Sequence, residues 1–357
     1  MSPKFRELEQ YVAFNDTAEI VIGGDSGLQV CHTSICPFDT YVGFPFRSHV
    51  VGCVHGLLCL SESAEIRNKC RVMLWNPMFR KYINLPVSST GTDMGITTSV
   101  LGFGYDGIRN DHRVVKITDC HGVDELLIEV YSVREHTWKT ISSEFLIDNS
   151  IKTVSYLHHF HNGVIHWLTL KSRTDYKFDK WLISFNVAEE TFEKLELPEG
   201  MVNASTLGPC VCLFEFQTKL AVSRCRDSSD INAQDRCRIW VKTKDDASNC
   251  WCIILDIVIH RGFYVVSDLY FRRTGELLGF AKLDNKKVIS VDPLTLRVTN
   301  VGILNLDMST MFCNYTESLV LLDRNTEVYT DDDLRRLLLQ QYGGIHLLFV
   351  TIIPTEY

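Results

Sequence analysis

Hydrophobic positions along the chain fall into short runs separated by polar turns, and one arrangement of two runs is informative. In the stretch VMLWNPMFRKYINLP, residues 72–86, Trp75 precedes Asn76 and Pro77, and a second aromatic, Tyr82, follows seven positions after the first. Residues with this spacing lie opposite each other across an antiparallel hairpin with a four-residue loop, where such a pair contributes roughly 0.2–1 kcal/mol. Asn or Asp followed by Pro is suited to start that loop. The stretch therefore predicts a β-hairpin.

The same spacing recurs along the chain. The other pairs that share it are Tyr131 and Trp138, Phe185 and Phe192, and Val291 and Val298. Trp240 and Trp251 fit the same scheme with a turn that is four residues longer. Because the first members of these pairs recur roughly every 50–55 residues, the chain is predicted to contain an internal structural repeat.

A second feature, a turn followed by an apolar strand, precedes each pair. Its copies are HGLLCL (55–60), NDHRVVKI (110–117), NGVIHWL (162–168), TKLAVS (218–223) and TGELLGF (274–280). Each period therefore contains about four short strands. The residues that define the repeat are Gly56, Trp75, Asn76, Pro77, Tyr82, Tyr131, Trp138, Gly163, Trp167, Phe185, Phe192, Trp240, Trp251 and Pro293.

A period near 50 residues with four strands and little helix is typical of a kelch-like β-propeller. We predict an all-β fold with six blades of four-stranded antiparallel sheets and a short C-terminal helix. Five copies cover about 56–303, and IVIGGDSGLQV (20–30) with FCNYTESLVLL (312–322) supply terminal strands that close the ring within one blade. Seven blades are the alternative if insertions split one blade. A β-sandwich or two stacked β-domains are the alternatives to a propeller.

Composition and charge favour a soluble globular protein with protein partners. Of the 357 residues, 45% are hydrophobic and 22% are charged. The net charge of −8, without a block of Lys or Arg, argues against nucleic-acid binding. The charged N-terminus does not resemble a signal peptide, and IHLLFVTII (345–353) is about half the ~20 residues of a spanning helix. We expect no membrane contact, a cytoplasmic or nuclear location, and thirteen cysteines that are reduced and mostly buried.

Three groups of residues suggest chemistry, and each has a structural interpretation that we favour. Gly102 to Gly107 matches G-x-G-x-x-G but leads into a strand, whereas a dinucleotide site needs a helix there. The remaining candidates are His158, His159, His161 and His166, of which His159 and His161 share a strand face, and the pairs Cys210-x-Cys212 and Cys250-x-Cys252. No further ligand with suitable spacing completes a metal site. We predict no catalytic residue, no metal and no cofactor.

An ordered set of motifs resembles the plant F-box-associated domain. These motifs are VVGCVHGLLCL, LWNPMFRKYINLP, LGFGYDGIRNDHRVVKI, EVYSVREHTWKTI, HNGVIHWL, LISFNVAEETFEKLELP and YTESLVLL, and they cover about 50–323. In that family the domain follows an F-box that docks on the Skp-type adaptor of a Skp–cullin–F-box ubiquitin ligase, and the domain recognises the protein to be ubiquitinated. The resemblance implies a protein-recognition module rather than an enzyme. A propeller enzyme of the lyase or oxidase type is the alternative.

The domain organisation follows from this resemblance. Residues 1–49 lack the LP-x-x-φ stretch with a following Cys-Lys-x-Trp that is typical of an F-box, and are predicted to add a strand to ring closure. Residues 50–325 form the propeller, and 326–357 form a tail with a helix that carries Leu334, Leu337 and Leu338 on one face. That helix either folds back on the domain or docks on a partner.

The resemblance also defines the expected partners. A Skp-type adaptor is a partner only if an F-box lies upstream. We expect these 357 residues alone to bind a protein target without co-purifying with the adaptor, as a decoy or an inert relative. The target is expected to contact the long connections 61–71, 88–99, 170–180 and 225–237, because propeller ligands engage loops at one end of the ring.

Overall fold

The strands of this computed structural model account for most of the residues that it describes. Those residues are 11–14, 20–23, 48–62, 71–76, 81–88, 97–120, 126–142, 144–148, 151, 154–172, 177–202, 210–225, 236–243, 250–258, 263–264, 270–271, 276–281, 284–295, 297–303, 311–314, 320 and 327–328. The predicted C-terminal helix and the greater part of 1–49 lie outside them. No described helix is long and apolar enough to cross a membrane.

The strands follow one another in sets of four. After β1 (Tyr11–Phe14) and β2 (Ile20–Gly23), blade 1 contains β3 (Ser48–Val54), β4 (Leu57–Glu62), β5 (Arg71–Asn76) and β6 (Lys81–Asn84). Blade 2 contains β7 (Thr97–Asp106), β8 (Asp111–Cys120), β9 (Leu126–Ser132) and β10 (Thr137–Ile141). After helix α1 (Glu144–Asp148), blade 3 contains β11 (Val154–His161), β12 (Val164–Ser172), β13 (Lys177–Asn186) and β14 (Thr191–Glu196).

The second half of the chain repeats this order after helix α2 (Glu199–Val202). Blade 4 contains β15 (Cys210–Phe216), β16 (Lys219–Cys225), β17 (Arg236–Lys242) and β18 (Trp251–Val258). Blade 5 contains β19 (Phe263–Tyr264), β20 (Tyr270–Phe271), β21 (Leu277–Ala281), β22 (Asp284–Val291) and β23 (Val298–Ile303). The last strands are β24 (Met311–Asn314) and β25 (Glu327–Val328).

The described strands form six antiparallel sheets, which confirms the predicted all-β propeller. Blades 2, 3 and 4 have the predicted four strands in sequence order. The sixth sheet, in the order β2-β1-β24, joins strands from both ends of the chain. Neighbouring first strands contact each other in the series β24, β3, β7, β11 and β15, so the first strand of each blade lies nearest the ring axis.

Each predicted seven-residue pair lies directly across a hairpin. The registers that show this are Trp75 opposite Tyr82, Tyr131 opposite Trp138, Phe185 opposite Phe192 and Val291 opposite Val298. At the last of these turns, Asp292 Oδ1 accepts hydrogen bonds from the Leu294 and Thr295 amides at 2.9 and 3.3 Å, as expected for an Asp that starts a turn. Pro77 lies outside the described residues.

The Trp240 pair differs from the prediction. Trp240 lies opposite Ile253, and Trp251 lies opposite Lys242, because the turn between β17 and β18 is two residues longer than the predicted pairing requires. The two tryptophans are therefore diagonal neighbours on one sheet face rather than a directly opposed pair. The β-bulge between Ile239 and Trp240 lies farther from this turn and does not change the register of the two tryptophans.

The turns between first and second strands explain the glycines of the repeat. His55 and Gly56 both have positive φ, as do Asn162 and Gly163, and each pair closes a two-residue hairpin loop. A two-residue turn with positive φ at both positions matches the right-handed twist of the strands, and Asn-Gly is its preferred sequence. Gly56 and Gly163 thus set the hairpin geometry of blades 1 and 3.

The hydrophobic core consists of layers between neighbouring blades. Leu74 and Phe103 belong to the layer between blades 1 and 2, and Ile128 and Trp167 to the layer between blades 2 and 3. Two further layers join blade 3 to blade 4 and blade 4 to blade 5. Inner strands therefore have apolar residues on both faces, which explains why they lack a clean alternation of polar and apolar positions.

Blades 2 and 3 pack closely at Trp167. Its ring is fully buried, and its indole Nε1 donates a hydrogen bond to the Leu101 carbonyl of blade 2 at 3.1 Å. A Cβ atom on Gly102 would lie 2.2 Å from Trp167 Cζ2, and one on Gly104 would lie 2.9 Å from Phe160 Cδ2. The first two glycines of the G-x-G-x-x-G match therefore make room for aromatic rings of blade 3, and no helix follows them.

Two other tryptophans join neighbouring blades near the rim of the ring. Trp138 of blade 2 donates from Nε1 to the Pro86 carbonyl of blade 1 at 2.7 Å. Trp251 of blade 4 donates to the Glu196 carbonyl of blade 3 at 2.8 Å. In both cases an outer-strand tryptophan bonds to the chain where the preceding blade ends, so the repeat includes an interblade hydrogen bond.

The close approach of Trp167 predicts the effect of adding one methyl group. Gly102→Ala should lower the free energy of unfolding by about 1–3 kcal/mol, because the new Cβ overlaps the indole ring and blades 2 and 3 must move apart. Chemical denaturation followed by tryptophan fluorescence measures this difference. Gly107→Ala is the matched control, because its nearest neighbour would be 4.0 Å away at Tyr105 Cε1. An equal effect of both substitutions would contradict the packing.

Candidate functional site

The meander order of the strands separates the connections between two ends of the ring. Connections from a first to a second strand, and from a third to a fourth, lie at one end, which we call the turn end. Connections from a second to a third strand, and from one blade to the next, lie at the opposite end, which we call the loop end. The predicted contact connections 61–71, 88–99, 170–180 and 225–237 all start and finish at the loop end. Most of their residues lie outside the described ones.

Polar contacts hold the strand ends from which these loop-end connections begin. Ser88, which follows blade 1, donates to Glu129 Oε2 of blade 2 at 2.6 Å. Lys116 Nζ lies 3.1 Å from Ser88 Oγ and 3.3 Å from Glu129 Oε2. The Glu129 side chain is 2% exposed, so its charge is compensated by Lys116 rather than by water. This triad anchors the start of connection 88–99.

Two further contacts have the same role in blades 3 and 4. Thr169 Oγ1 donates to the Trp181 carbonyl at 2.7 Å across the base of connection 170–180. Arg224 Nη1 donates to the Gly200 carbonyl in α2 at 3.0 Å, beside connection 225–237. A Cβ on Gly200 would lie 3.0 Å from Trp240 Cζ2, so α2 sits directly on blade 4. The loop end therefore has a hydrogen-bonded base from which these connections project.

The turn end of blade 2 is held by a network of charged residues. Asp106 accepts hydrogen bonds from the Ile108 and Arg109 amides at 3.0 Å and from Arg109 Nη1 at 2.8 Å. Burial opposes ionisation of Asp106, but these hydrogen bonds outweigh it and keep the pKa of the carboxyl below its ordinary value. Arg109 Nη1 also donates to the Ala188 carbonyl at 2.7 Å, which links blade 2 to blade 3.

The same network extends through Asp111. Its side chain accepts hydrogen bonds from Ser132 Oγ at 2.6 Å and from the Arg134 amide at 2.8 Å, and it lies 2.8 Å from Arg113 Nε. Asp106 and Arg113 are less than 10% exposed, so these charges define the shape of the turn rather than present a free surface.

His112 is buried next to the turn end. Its ring stacks on Phe103, with centroids 5.6 Å apart, and its Nε2 lies 3.1 Å from the Val54 carbonyl. The carbonyl can only accept, so Nε2 carries the proton of this bond. Burial lowers the pKa of His112 to about 4. The ring is therefore neutral at physiological pH and joins blade 2 to blade 1.

The predicted histidine group lies on blade 3. His159 lies opposite His166, so both share a sheet face with His161, which faces blade 4 and lies 3.1 Å from Glu215 Oε2. His166 Nδ1 shares a hydrogen bond with Ser184 Oγ at 2.7 Å. His158 is on the other face, stacked on Trp167. Among the described residues no group of three metal-binding side chains is found.

The cysteines differ from the sequence prediction in two ways. Cys250 and Cys252 are exposed, whereas we expected mostly buried thiols. Cys237 is disulfide-bonded, so the expectation of reduced thiols is wrong at that position. Cys210 and Cys212 lie on β15, as predicted.

Blade 4 has an unusually apolar outer edge. The sequence of β18 is WCIILDIV, and Ile253, Ile254 and Val258 are all exposed. β18 has one charged residue, Asp256, which lies 3.0 Å from Arg238 Nη2 of β17, whereas three of the six residues of β14 are charged. Charged residues protect edge strands against further pairing, so β18 is less protected than β14.

The buried histidines predict a pH dependence of stability. Burial lowers the pKa of His112 to about 4 and that of His166 to about 3, from 6.5 when unfolded. Below pH 6.5 the unfolded chain binds protons that the folded chain does not, so stability falls as pH decreases through this window. We expect a loss on the order of 2–3 kcal/mol for each of the two histidines between pH 7 and pH 4, measured by urea denaturation. His166→Asn should reduce this slope; an unchanged slope would contradict the assignment.

Comparison with known proteins agrees with this geometry. The sequence profile of the F-box associated beta propeller domain matches residues 28–306, which is more than half of the chain. An F-box/kelch-repeat protein of Arabidopsis thaliana is 24% identical over 152 residues, covering 42% of this chain and 38% of that protein. An F-box protein of the same organism is 23% identical over 190 residues, covering 46% and 45%. The chain thus spans less than half the length of these relatives.

Among solved structures, TolB from Acinetobacter baumannii is similar, with a TM-score of 0.47 and 8% identity over 87% of this chain and 68% of TolB. The family assignment rests on the profile match, whose span includes blades 1 to 5 as the structure defines them. This assignment agrees with the hairpin repeat and with the six antiparallel sheets of the described strands. The chain belongs to the F-box-associated β-propeller family of plant F-box proteins.

Proposed function

We propose that this chain is the protein-recognition part of an F-box-type protein and binds the target of a Skp–cullin–F-box ubiquitin ligase. The observation that carries the proposal is membership of the F-box-associated β-propeller family over residues 28–306. In this proposal the propeller holds the target, and an F-box holds the adaptor of the ligase.

The loop end is the surface that we assign to the target. At the start of three of the four long connections, the side chain of Ser88, Thr169 or Arg224 makes a hydrogen bond that holds the neighbouring chain in place. A rigid base lowers the entropy lost when a connection is ordered on binding, and variable connections on a fixed scaffold are a common way to build specificity.

Recognition also fits the histidines better than catalysis does. His112 is bound to the Val54 carbonyl and His166 to Ser184, and burial keeps the pKa of each far below its ordinary value. A general acid or base works best with a pKa near the operating pH. We therefore assign these side chains to blade packing.

The proposal is tested by replacing the loop-end connections. In a loop variant, residues 63–70, 89–96, 173–176 and 226–235 are exchanged for Gly-Ser sequences of equal length. Tagged wild-type and variant chains are cross-linked in plant extract, and captured proteins are quantified by mass spectrometry. We expect proteins that the wild type captures to fall at least about tenfold with the loop variant, because the contacts lie on these connections.

A turn-end variant provides the matched control. Ile108, Glu189 and Leu294 are exposed at the opposite end of the ring, and their replacement by Ser should leave capture unchanged. Melting curves of all three proteins establish that they are folded. If capture survives in the loop variant and is lost in the turn-end variant, the target binds the turn end and the assignment to the loop end is overturned.

A further inference from the structure

Two lysines and a tryptophan of blade 3 contact one another at the loop end of the ring. Lys180 Nζ lies 4.6 Å and Lys194 Nζ lies 3.8 Å from the centroid of the Trp181 ring. Trp181 is directly opposite Glu196, the last residue of β14, so the group lies where blade 3 reaches the loop end. We call Lys180, Trp181 and Lys194 the basic site.

The tryptophan of the basic site has a different role from three other tryptophans of the ring. Trp138, Trp167 and Trp251 donate their indole N–H groups to carbonyls of a neighbouring blade. The ring of Trp181 is partly exposed and contacts two ammonium groups of its own blade. Because the face of an indole attracts cations, Trp181 holds two positive charges close together near the protein surface.

The positive charge of the basic site is only partly compensated. Lys180 Nζ lies 3.3 Å from Glu196 Oε1, and these side chains are 50% and 55% exposed. Ion pairs between exposed side chains contribute little stability, so Lys180 can pair instead with an anion of a partner. No carboxylate in the described part of the chain forms an ion pair with Lys194. The basic site therefore has an excess of positive charge.

This excess contrasts with the charge of the whole protein. The chain has a net charge of −8, whereas the sequence 171–180, which leads to Trp181, contains four basic and two acidic residues. Charges on a protein surface select partners of complementary charge mainly through the local arrangement of groups. An acidic partner is therefore attracted to this part of blade 3 rather than to the protein as a whole.

We propose that the basic site binds an acidic segment of the target protein, whose carboxylates pair with the Lys180 and Lys194 ammonium groups. This inference rests on the proposed recognition function and adds the chemistry of the target. A carboxylate accepts charge-assisted hydrogen bonds from ammonium groups, which are stronger than those between neutral groups. Trp181 adds an aromatic surface of the type that contributes most to binding at protein interfaces.

Binding of two labelled decapeptides to the full chain tests the basic site directly. One peptide alternates Glu with Gly, the other alternates Gln with Gly, and fluorescence anisotropy measures binding. We expect the Glu peptide to bind at least about tenfold more tightly than the Gln peptide, with an affinity that falls as salt is added, because exposed charges are screened. Equal binding of the two peptides, or no binding of the Glu peptide to the folded wild type, would overturn the proposal.

Two charge-reversal variants locate the binding. The first combines Lys180→Glu with Lys194→Glu, and the matched control combines Lys139→Glu with Lys219→Glu near the turn end. Each variant removes one lysine from a surface ion pair, and both change the net charge equally. We expect affinity for the Glu peptide to fall at least about tenfold in the first variant and to stay within about twofold in the control. Equal effects in both variants would contradict the assignment.

A neutral variant tests the same site without added negative charge. Lys180→Gln with Lys194→Gln keeps most of the side-chain length, and melting curves establish that each variant is folded. We expect it to bind the Glu peptide more weakly than the wild type and no more tightly than it binds the Gln peptide. Unchanged affinity for the Glu peptide would show that the lysines do not hold it.

Capture from plant extract separates failure of this inference from failure of the proposed function. If the loop variant loses the captured proteins and Lys180→Glu with Lys194→Glu retains them all, the target binds other residues of the loop end and the basic site is wrong. If the loop variant and the wild type capture the same proteins, the proposed function is wrong. The peptide titration then shows whether the basic site binds acidic segments independently of that function.

Discussion

The ring depends on how closely one blade can approach the next, and the contact between Trp167 and Gly102 sets that distance for blades 2 and 3. Sheets with large side chains on both facing sides would be held apart, and the gaps between them would cost dispersion energy. Gly102 removes a side chain where the indole needs room, and the Leu101 carbonyl satisfies the indole N–H. A large residue thus meets a small one, and its polar atom is satisfied without water.

Two more tryptophans form hydrogen bonds between neighbouring blades nearer the rim of the ring. Trp138 and Trp251 reach the carbonyls of Pro86 and Glu196, each in the preceding blade. Apolar layers on the inside and tryptophan hydrogen bonds near the rim leave little freedom between these blades. In the proposed recognition role, this rigidity would hold the loop-end connections at fixed relative positions for a target that contacts several of them.

The sequence predicted those features that depend on local geometry. The spacing from Tyr131 to Trp138 defined a hairpin because residues seven apart meet across a four-residue turn, and Gly163 marked a turn that needs positive φ. The match that begins at Gly102 was predicted to lead into a strand, and β8 follows it. The register of Trp251 was missed, because the spacing of the two tryptophans does not reveal the length of the turn between their strands.

Other features depend on contacts between distant parts of the chain, and the sequence could not predict them. β25 pairs with the outer strand of blade 1, although Glu327 and Val328 carry no pattern that indicates it. The buried Glu129 is compensated by Lys116 and Ser88, which only the strand order brings together.

A double-mutant cycle between Gly102 and Trp167 tests the central claim most directly. If the indole occupies the space above Gly102, then Gly102→Ala should be much less costly once Trp167→Phe has removed the second ring. We predict a coupling free energy of about 1 kcal/mol or more from the unfolding free energies of the four proteins. Strictly additive effects, within about 0.3–0.5 kcal/mol, would show that the two residues do not set the distance between blades 2 and 3.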